Sequence, residues 1–337
     1  MRVLYTDPAW AIGSDGRPDP VLASVEAEIL PEGTDIRIGP HVGGRYVNTG
    51  TELLRLAADA DAIVVYRCRV TPDLVTAAGR RCRVIARQGV GLDNLNVPLL
   101  RERKLYGFHV PDYCGDEVST HALALLLGLE RGICVQDALV KDDRWDIYGG
   151  GIPRRTSGLT AGIIGFGRIG RAVSHKLRPV YHRVLGYDPY VPADLMASHG
   201  VTRCEELGRL LAESDAVLLH AELTGETKGI IGHEAMRQLR PGSLLVNAAR
   251  GGLVDPDAVI AALDSGVLRG FASDVFLPED PNRDPVTKEL LKRDNVIVTA
   301  HRAFLSAESE ASLRRRVAEG IAHVLRTSEP PPYGRIA

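Results

Sequence analysis

Aromatic residues are scarce: Phe, Trp and Tyr together make up 5% of 337 residues. That argues against a base-stacking platform for single-stranded nucleic acid. An excess of one charge is missing as well. The formal net charge is −2 at pH 7, so no basic surface for nucleic acid or for an anionic membrane is implied. The five cysteines, Cys68, Cys82, Cys114, Cys134 and Cys204, are odd in number, scattered and without a C-x-x-C pair. They argue against a disulfide framework and against a metal site, and they fit a reducing compartment. No apolar run approaches the roughly 20 residues of a membrane helix. The opening stretch, Met1-Arg2-Val3-Leu4-Tyr5, reads as a first strand and not as a signal peptide. The expected location is the cytoplasm.

What is present is ordinary in amount and regular in order. Charged residues are 25% and the hydrophobic set 45%, as in globular proteins, and the length suggests about two domains. Short apolar runs alternate with longer amphipathic stretches, the pattern of βα units and parallel sheets. The first third predicts strands at Arg2–Tyr5, Asp35–Ile38, Ala62–Tyr66, Val84–Arg87 and Tyr106–Val110, a flavodoxin-like unit. A long apolar helix is expected from Glu117 to Val140, then a loop through Gly149-Gly150-Gly151 and Pro153. Six further strands follow, at Thr160–Ile164, Arg183–Tyr187, Ala216–Leu219, Ser243–Asn247, Gly270–Ser273 and Val296–Thr299. Six is the count of a complete Rossmann dinucleotide-binding fold. A last helix is expected to about Arg326, then a loose Pro-rich tail at Glu329–Pro332. The fold class is therefore α/β, with two doubly wound parallel-sheet domains.

The run Gly162-Ile163-Ile164-Gly165-Phe166-Gly167-Arg168-Ile169-Gly170 is a strand entering G-x-G-x-x-G. Gly165 permits a tight turn, Gly167 a close approach by a pyrophosphate, and Gly170 close packing of helix on strand. Arg168 and Ile169 open the helix, whose N–H groups and dipole favour phosphate. The next strand ends in Asp188, 18 residues after Gly170. A carboxylate there binds ribose hydroxyls and repels the 2′-phosphate of NADP, so the expected cofactor is NAD.

Three later strand ends carry unusual polar residues. Arg250 follows Asn247-Ala248-Ala249, Glu279 follows Asp274-Val275-Phe276-Leu277-Pro278, and His301 follows Thr299-Ala300. In a doubly wound sheet, ligands bind outside the carboxyl ends of the strands. Hydride transfer to a 2-oxo acid calls for a cation to hold the carboxylate, a proton donor that works near neutral pH, and a carboxylate to orient it. Arg250, His301 and Glu279 have those chemistries.

These motifs resemble the D-isomer-specific 2-hydroxyacid dehydrogenases over nearly the whole chain. The blocks Leu245–Asp255, Asp274-Val275-Phe276 and Val298-Thr299-Ala300-His301 all look like that family, with Ala300 where its T-P-H motif has proline. The resemblance implies that Arg250, Glu279 and His301 form an Arg–Glu–His triad and that Asp274 lies on the nicotinamide side. His220 and Ala248 join Gly165, Gly167, Arg168, Ile169, Asp188 and Asp274 as expected cofactor contacts. It also implies a discontinuous substrate domain, 1–110 with 301–337, around an inserted nucleotide domain, 111–300. Within the family, Ala86–Asn94, Val110–Cys114 and Phe304 look most like the branch of the C-terminal-binding-protein corepressors. Glu222 and Arg302 depart from the family's usual residues and put its familiar substrates in doubt.

The strand end and glycine turn at Arg87, Gly89, Val90 and Gly91 suit an anion nest. With Arg67 they are expected to bind substrate alongside Arg250 and His301. Arg69 and Arg302 add further cations, so the substrate is expected to carry a second anionic group. A different class stays open: an NAD(H)-sensing binding protein with little turnover. The long apolar helix exceeds what one buried face needs, and a homodimer is expected.

Overall fold

Ala62–Val65 and Ala216–Leu219 are buried at every residue, as strands covered on both faces of a parallel sheet must be. The computed structural model describes residues 1–337. They divide into two compact units, Met1–Tyr113 with Ser306–Ala337, and Cys114–Leu305.

In the first unit, β1 (Arg2–Tyr5), β2 (Asp35–Ile38), β3 (Ala62–Val65), β4 (Val84–Arg87) and β5 (Tyr106–His109) form a parallel sheet in the order β2-β1-β3-β4-β5. Alternate side chains feed two cores. Val3, Tyr5, Val64, Val84 and Phe108 pack with Leu313, Val317 and Ile321 of the last helix. Leu4, Ile63, Val65 and Ile85 pack with Leu74 and Leu100 on the other face. The strand order reverses between β1 and β3, which opens a crevice at their carboxyl ends. The tail is not loose beyond Pro332. Gly107 N–H donates to the Ala337 carbonyl (3.3 Å), Ile336 N–H to Gly107 (2.9 Å) and His109 N–H to Gly334 (3.1 Å). Residues 334–337 thereby satisfy backbone groups along the free edge of β5.

The second unit holds β6 (Thr160–Ile164), β7 (Arg183–Tyr187), β8 (Thr202–Arg203), β9 (Ala216–Leu219), β10 (Ser243–Asn247), β11 (Leu268–Ser273) and β12 (Val296–Val298). Their order is β8-β7-β6-β9-β10-β11-β12, all parallel. The two-residue β8 was not expected; it is too short to carry an alternation pattern.

The helix expected over 117–140 is two helices. Gly132 adopts the left-handed conformation (φ +61°) and ends α1 (Gly115–Arg131) before α2 (Ile133–Lys141) begins. Ala122, Leu125 and Leu126 of α1 pack on Ile163, Val246 and Ala272 of the sheet. Its buried Glu130 accepts from Arg154 (2.8 Å) and Arg269 (2.5 Å), so the carboxylate is compensated. No residue of α2 is buried. Ile133, Val140, Trp145, Ile147, Tyr148 and Ile152 are exposed there, Trp145 by 86%. No helix is long and apolar enough to cross a membrane.

Candidate active site

The glycine loop joins β6 to α3 (Arg168–Leu177). Gly165 has φ +90°, and a Cβ on it would stand 2.4 Å from the Ala221 nitrogen, so only glycine passes. A Cβ on Gly170 would lie 2.1 Å from the Gly165 carbonyl oxygen, the close helix–strand approach expected. A Cβ on Gly167 would meet nothing within 4 Å. That open side faces outward beside the first turn of α3, where Arg168 is exposed and Ile169 half-buried. The cradle fits a pyrophosphate. Asp188, half-buried at the end of β7, accepts from Phe166 N–H (2.8 Å) and Tyr190 N–H (3.0 Å). These bonds fix the carboxylate against the glycine loop. His220, at the end of β9, has its Nε2 enclosed without a hydrogen-bond partner. Burial pushes its imidazole down to about 4, so it is neutral at pH 7.

The three expected triad residues lie on loops following β10, β11 and β12. Asn247 organises the first loop: its Nδ2 donates to the Arg250 carbonyl (2.9 Å), and its Oδ1 accepts from Ala249 N–H (3.1 Å). Arg250 Nη1 donates to the Ala249 carbonyl (2.8 Å), one of the five donors a guanidinium carries. Ala248 is half-buried beside it. A Cβ on Gly251 would fall 2.2 Å from the Phe276 carbonyl carbon, so this loop rests directly on the backbone of the Glu279 loop. Glu279 Oε1 pairs with His301 Nδ1. A carboxylate only accepts, so Nδ1 carries the proton and Nε2 is left to face a reactant. The Phe304 ring meets His301 edge-on at 6.3 Å.

His301 stands in the left-handed region (φ +50°), a strained setting of the kind functional sites retain. Asp274, 1% exposed, holds it there. Its side chain accepts from Arg302 N–H (2.9 Å) and Ala303 N–H (2.9 Å), and its carbonyl from His301 N–H (2.8 Å). The family resemblance implies a place for Asp274 on the nicotinamide side; its carboxylate also serves this loop. Arg302 is exposed.

In the first unit, the residue missed was Asp7. It is buried just after β1 and accepts from the N–H groups of Tyr66 (2.9 Å), Arg67 (2.7 Å) and Cys68 (2.9 Å). The nest after β3 is thus filled by the protein's own carboxylate. Its place at the carboxyl end of a strand is the signal that would have found it. Arg87 is buried, with its guanidinium 5.4 Å from the Tyr66 ring centroid; that of the exposed Arg67 lies at 5.2 Å. Gly89 makes room for Arg87, since a Cβ there would stand 2.2 Å from its Nη1. Gly89 N–H donates to the Arg87 carbonyl (3.0 Å), and the Val90 carbonyl accepts from His109 Nδ1 (2.7 Å). Val90 and Gly91, both half-buried, follow in the same turn.

Residues 123–303 match the family described as D-isomer specific 2-hydroxyacid dehydrogenase, NAD binding domain. This chain belongs to that family. It is 36% identical over 300 residues to the D-3-phosphoglycerate dehydrogenase of Methanocaldococcus jannaschii, covering 86% of this chain and 55% of that one. With the hydroxypyruvate reductase of Thermotoga maritima it shares 32% over 275 residues, covering 80% and 86%. The chain spans about half the length of the phosphoglycerate dehydrogenases it matches. Its fold is that of the D-lactate dehydrogenase of Aquifex aeolicus complexed with NAD and lactic acid, with a TM-score of 0.82 at 24% identity over 97% of this chain and 96% of that one. As a member of the family the chain uses NAD, and the cradle at Gly165–Gly170 with Asp188 is where its residues fit the dinucleotide. Replacing Asp188 by Ala is expected to narrow the preference for NADH over NADPH by about tenfold or more, because a carboxylate beside a phosphate costs several kcal/mol. Binding titrations with both nucleotides decide it; a wild type that binds them equally would sink the assignment to Asp188.

Proposed function

We propose that this dehydrogenase-family chain interconverts a D-2-hydroxy acid and its 2-oxo acid. The observation that carries the reading is the His301–Glu279 pair, set on successive strand-end loops, with the Arg250 loop resting on the backbone of the Glu279 loop. NAD supplies or accepts the hydride. The protein's residues do the rest. Arg250 holds the substrate carboxylate and polarises the carbonyl. His301 delivers a proton from Nε2 to the forming alkoxide, and takes it back in the oxidation direction. Glu279 keeps the ring turned and its Nδ1 engaged, so the exchangeable proton stays on the reacting side. Arg67, Arg87, Gly89, Val90 and Gly91 are assigned to substrate binding, and their cations favour a 2-oxo acid with a second anionic group. A panel of 2-oxo acids with and without such a group, followed by NADH absorbance, tests the assignment. Preference for the plain acids would overturn the second-anion part, and no turnover at all would overturn the reaction.

The same reading includes a homodimer. Ile133, Val140, Trp145, Ile147, Tyr148 and Ile152 expose an apolar surface of a kind that marks interaction sites, and closed two-fold pairs are the commonest assembly. Light scattering at micromolar concentration is expected to give twice the chain mass, and Trp145→Asp the monomer. A monomeric wild type would end the proposal. The four buried cysteines and the one exposed, Cys134, are all free, which suits the cytoplasm.

A further inference from the structure

His121 lies on α1, 178 residues from Thr299 in sequence, yet its Nε2 is 2.9 Å from Thr299 Oγ1. The Thr299 hydroxyl donates to Asp274 Oδ1 at 2.5 Å. A hydroxyl has a single proton, so once it donates to Asp274 it can only accept from His121. The imidazole must therefore carry hydrogen on Nε2. The same Nε2 stands 3.6 Å from Asp274 Oδ1. Beyond that carboxylate the chain of contacts continues to Arg302 N–H and Ala303 N–H, the two amides that follow His301.

We propose that His121 is a positioning residue for His301, acting through Thr299 and Asp274. The strained backbone of His301 persists only while its surroundings over-determine it. Asp274 does this by gathering the amides of residues 301–303, and it can do so only with its carboxylate held in one orientation. Thr299 provides that hold, and His121 orients Thr299. The histidine is seated on a rigid support, because the neighbouring Ala122, Leu125 and Leu126 are locked into the sheet core. In the alternative account His121 merely fills half-buried space, and any side chain of its size would serve.

The kinetic arm rests on the dehydrogenase reading; the spectroscopic arms do not. His121→Leu removes the donor, while His121→Gln places an amide N–H where Nε2 was. In His121→Leu, kcat is expected to fall about fivefold to tenfold, the effect of one net hydrogen bond, with the KM for NADH within about twofold of wild type. His121→Gln should recover most of that loss. Thr299→Val should match His121→Leu, and the double variant should be no worse than either single one, since the residues act in series. Amide exchange at Arg302 and Ala303 should quicken in His121→Leu but not in His121→Gln. Long-range proton–nitrogen NMR should find the Nε2–H tautomer of His121 in the wild-type chain. An Nδ1–H tautomer, or a folded His121→Leu with wild-type kcat and amide exchange, overturns the proposal, as does a His121→Gln variant no better than Leu. If His121→Leu does not fold, the wild-type tautomer and Thr299→Val decide. If the wild type turns over no 2-oxo acid, the dehydrogenase reading falls, and amide exchange with the tautomer still decides this one.

Discussion

Replacing His301 by Ala is expected to lower turnover about a hundredfold or more at saturating NADH and a working 2-oxo acid, the usual range for a general acid–base group. Glu279 engages Nδ1, so only Nε2 can pass a proton, and no second titratable ring stands on that loop. The backbone complicates the comparison, because residue 301 has positive φ. His301→Gly removes both the imidazole and the strain. It should be as slow as His301→Ala, which separates lost chemistry from a relaxed loop. NADH affinity, read by fluorescence titration, should stay near wild type in both. If either variant keeps most of its turnover, His301 is not the acid and the reaction assigned to this site loses its main support.

Gly165→Ala is expected to cripple the nucleotide site. The added Cβ would meet the Ala221 nitrogen at 2.4 Å and the Ala221 Cα and His220 carbonyl carbon at 2.6 Å. These are backbone atoms of the strand-end loop after β9, so no side chain can swing aside. Strained φ in a non-glycine residue costs about 1–3 kcal/mol before any clash is counted. Every 1.4 kcal/mol is about tenfold in affinity, so NADH binding should weaken by more than about tenfold, with a lower Tm. Gly167→Ala is the informative contrast. Its Cβ meets nothing, so the fold should stay intact and Tm unchanged, and any loss should appear in dinucleotide binding alone. A Gly165→Ala chain with wild-type Tm and NADH affinity would mean that the loop is not built as described.

The strands were legible where burial dictates them. Runs such as Ala62–Val65 and Ala216–Leu219 are apolar because both sheet faces are covered, and the polar residues around them mark their ends. The glycine loop was legible because its backbone geometry excludes other residues. The break at Gly132 was not. A glycine inside an apolar helical run is tolerated as often as it caps, and the left-handed turn there depends on tertiary context. Arg250, Glu279 and His301 stand out as candidates in the sequence because each follows a strand whose end is visible there. Asp7 also follows a legible strand end, but its role, like that of His121, depends on partners 59 and 178 residues away that are identified only once the chain is folded. The tail escaped because the bonds that pair it with β5 are main-chain, and a Pro-rich composition says nothing about which edge it will pair with.

The contact that Gly251 allows has a bearing on how such a protein diversifies. With the Arg250 loop resting on the Phe276 backbone, the spacing of the Arg250 and Glu279 loops is set by main chain and should survive side-chain exchanges that leave Asn247 and Gly251 in place. Under the proposed function, the cation and the carboxylate are inherited as a block. On that same proposal, variation in which acid is accepted is expected at side chains outside that block, such as the exposed Arg67 and Arg69. A library aimed at new acids should randomise those positions and leave residues 247–279 alone.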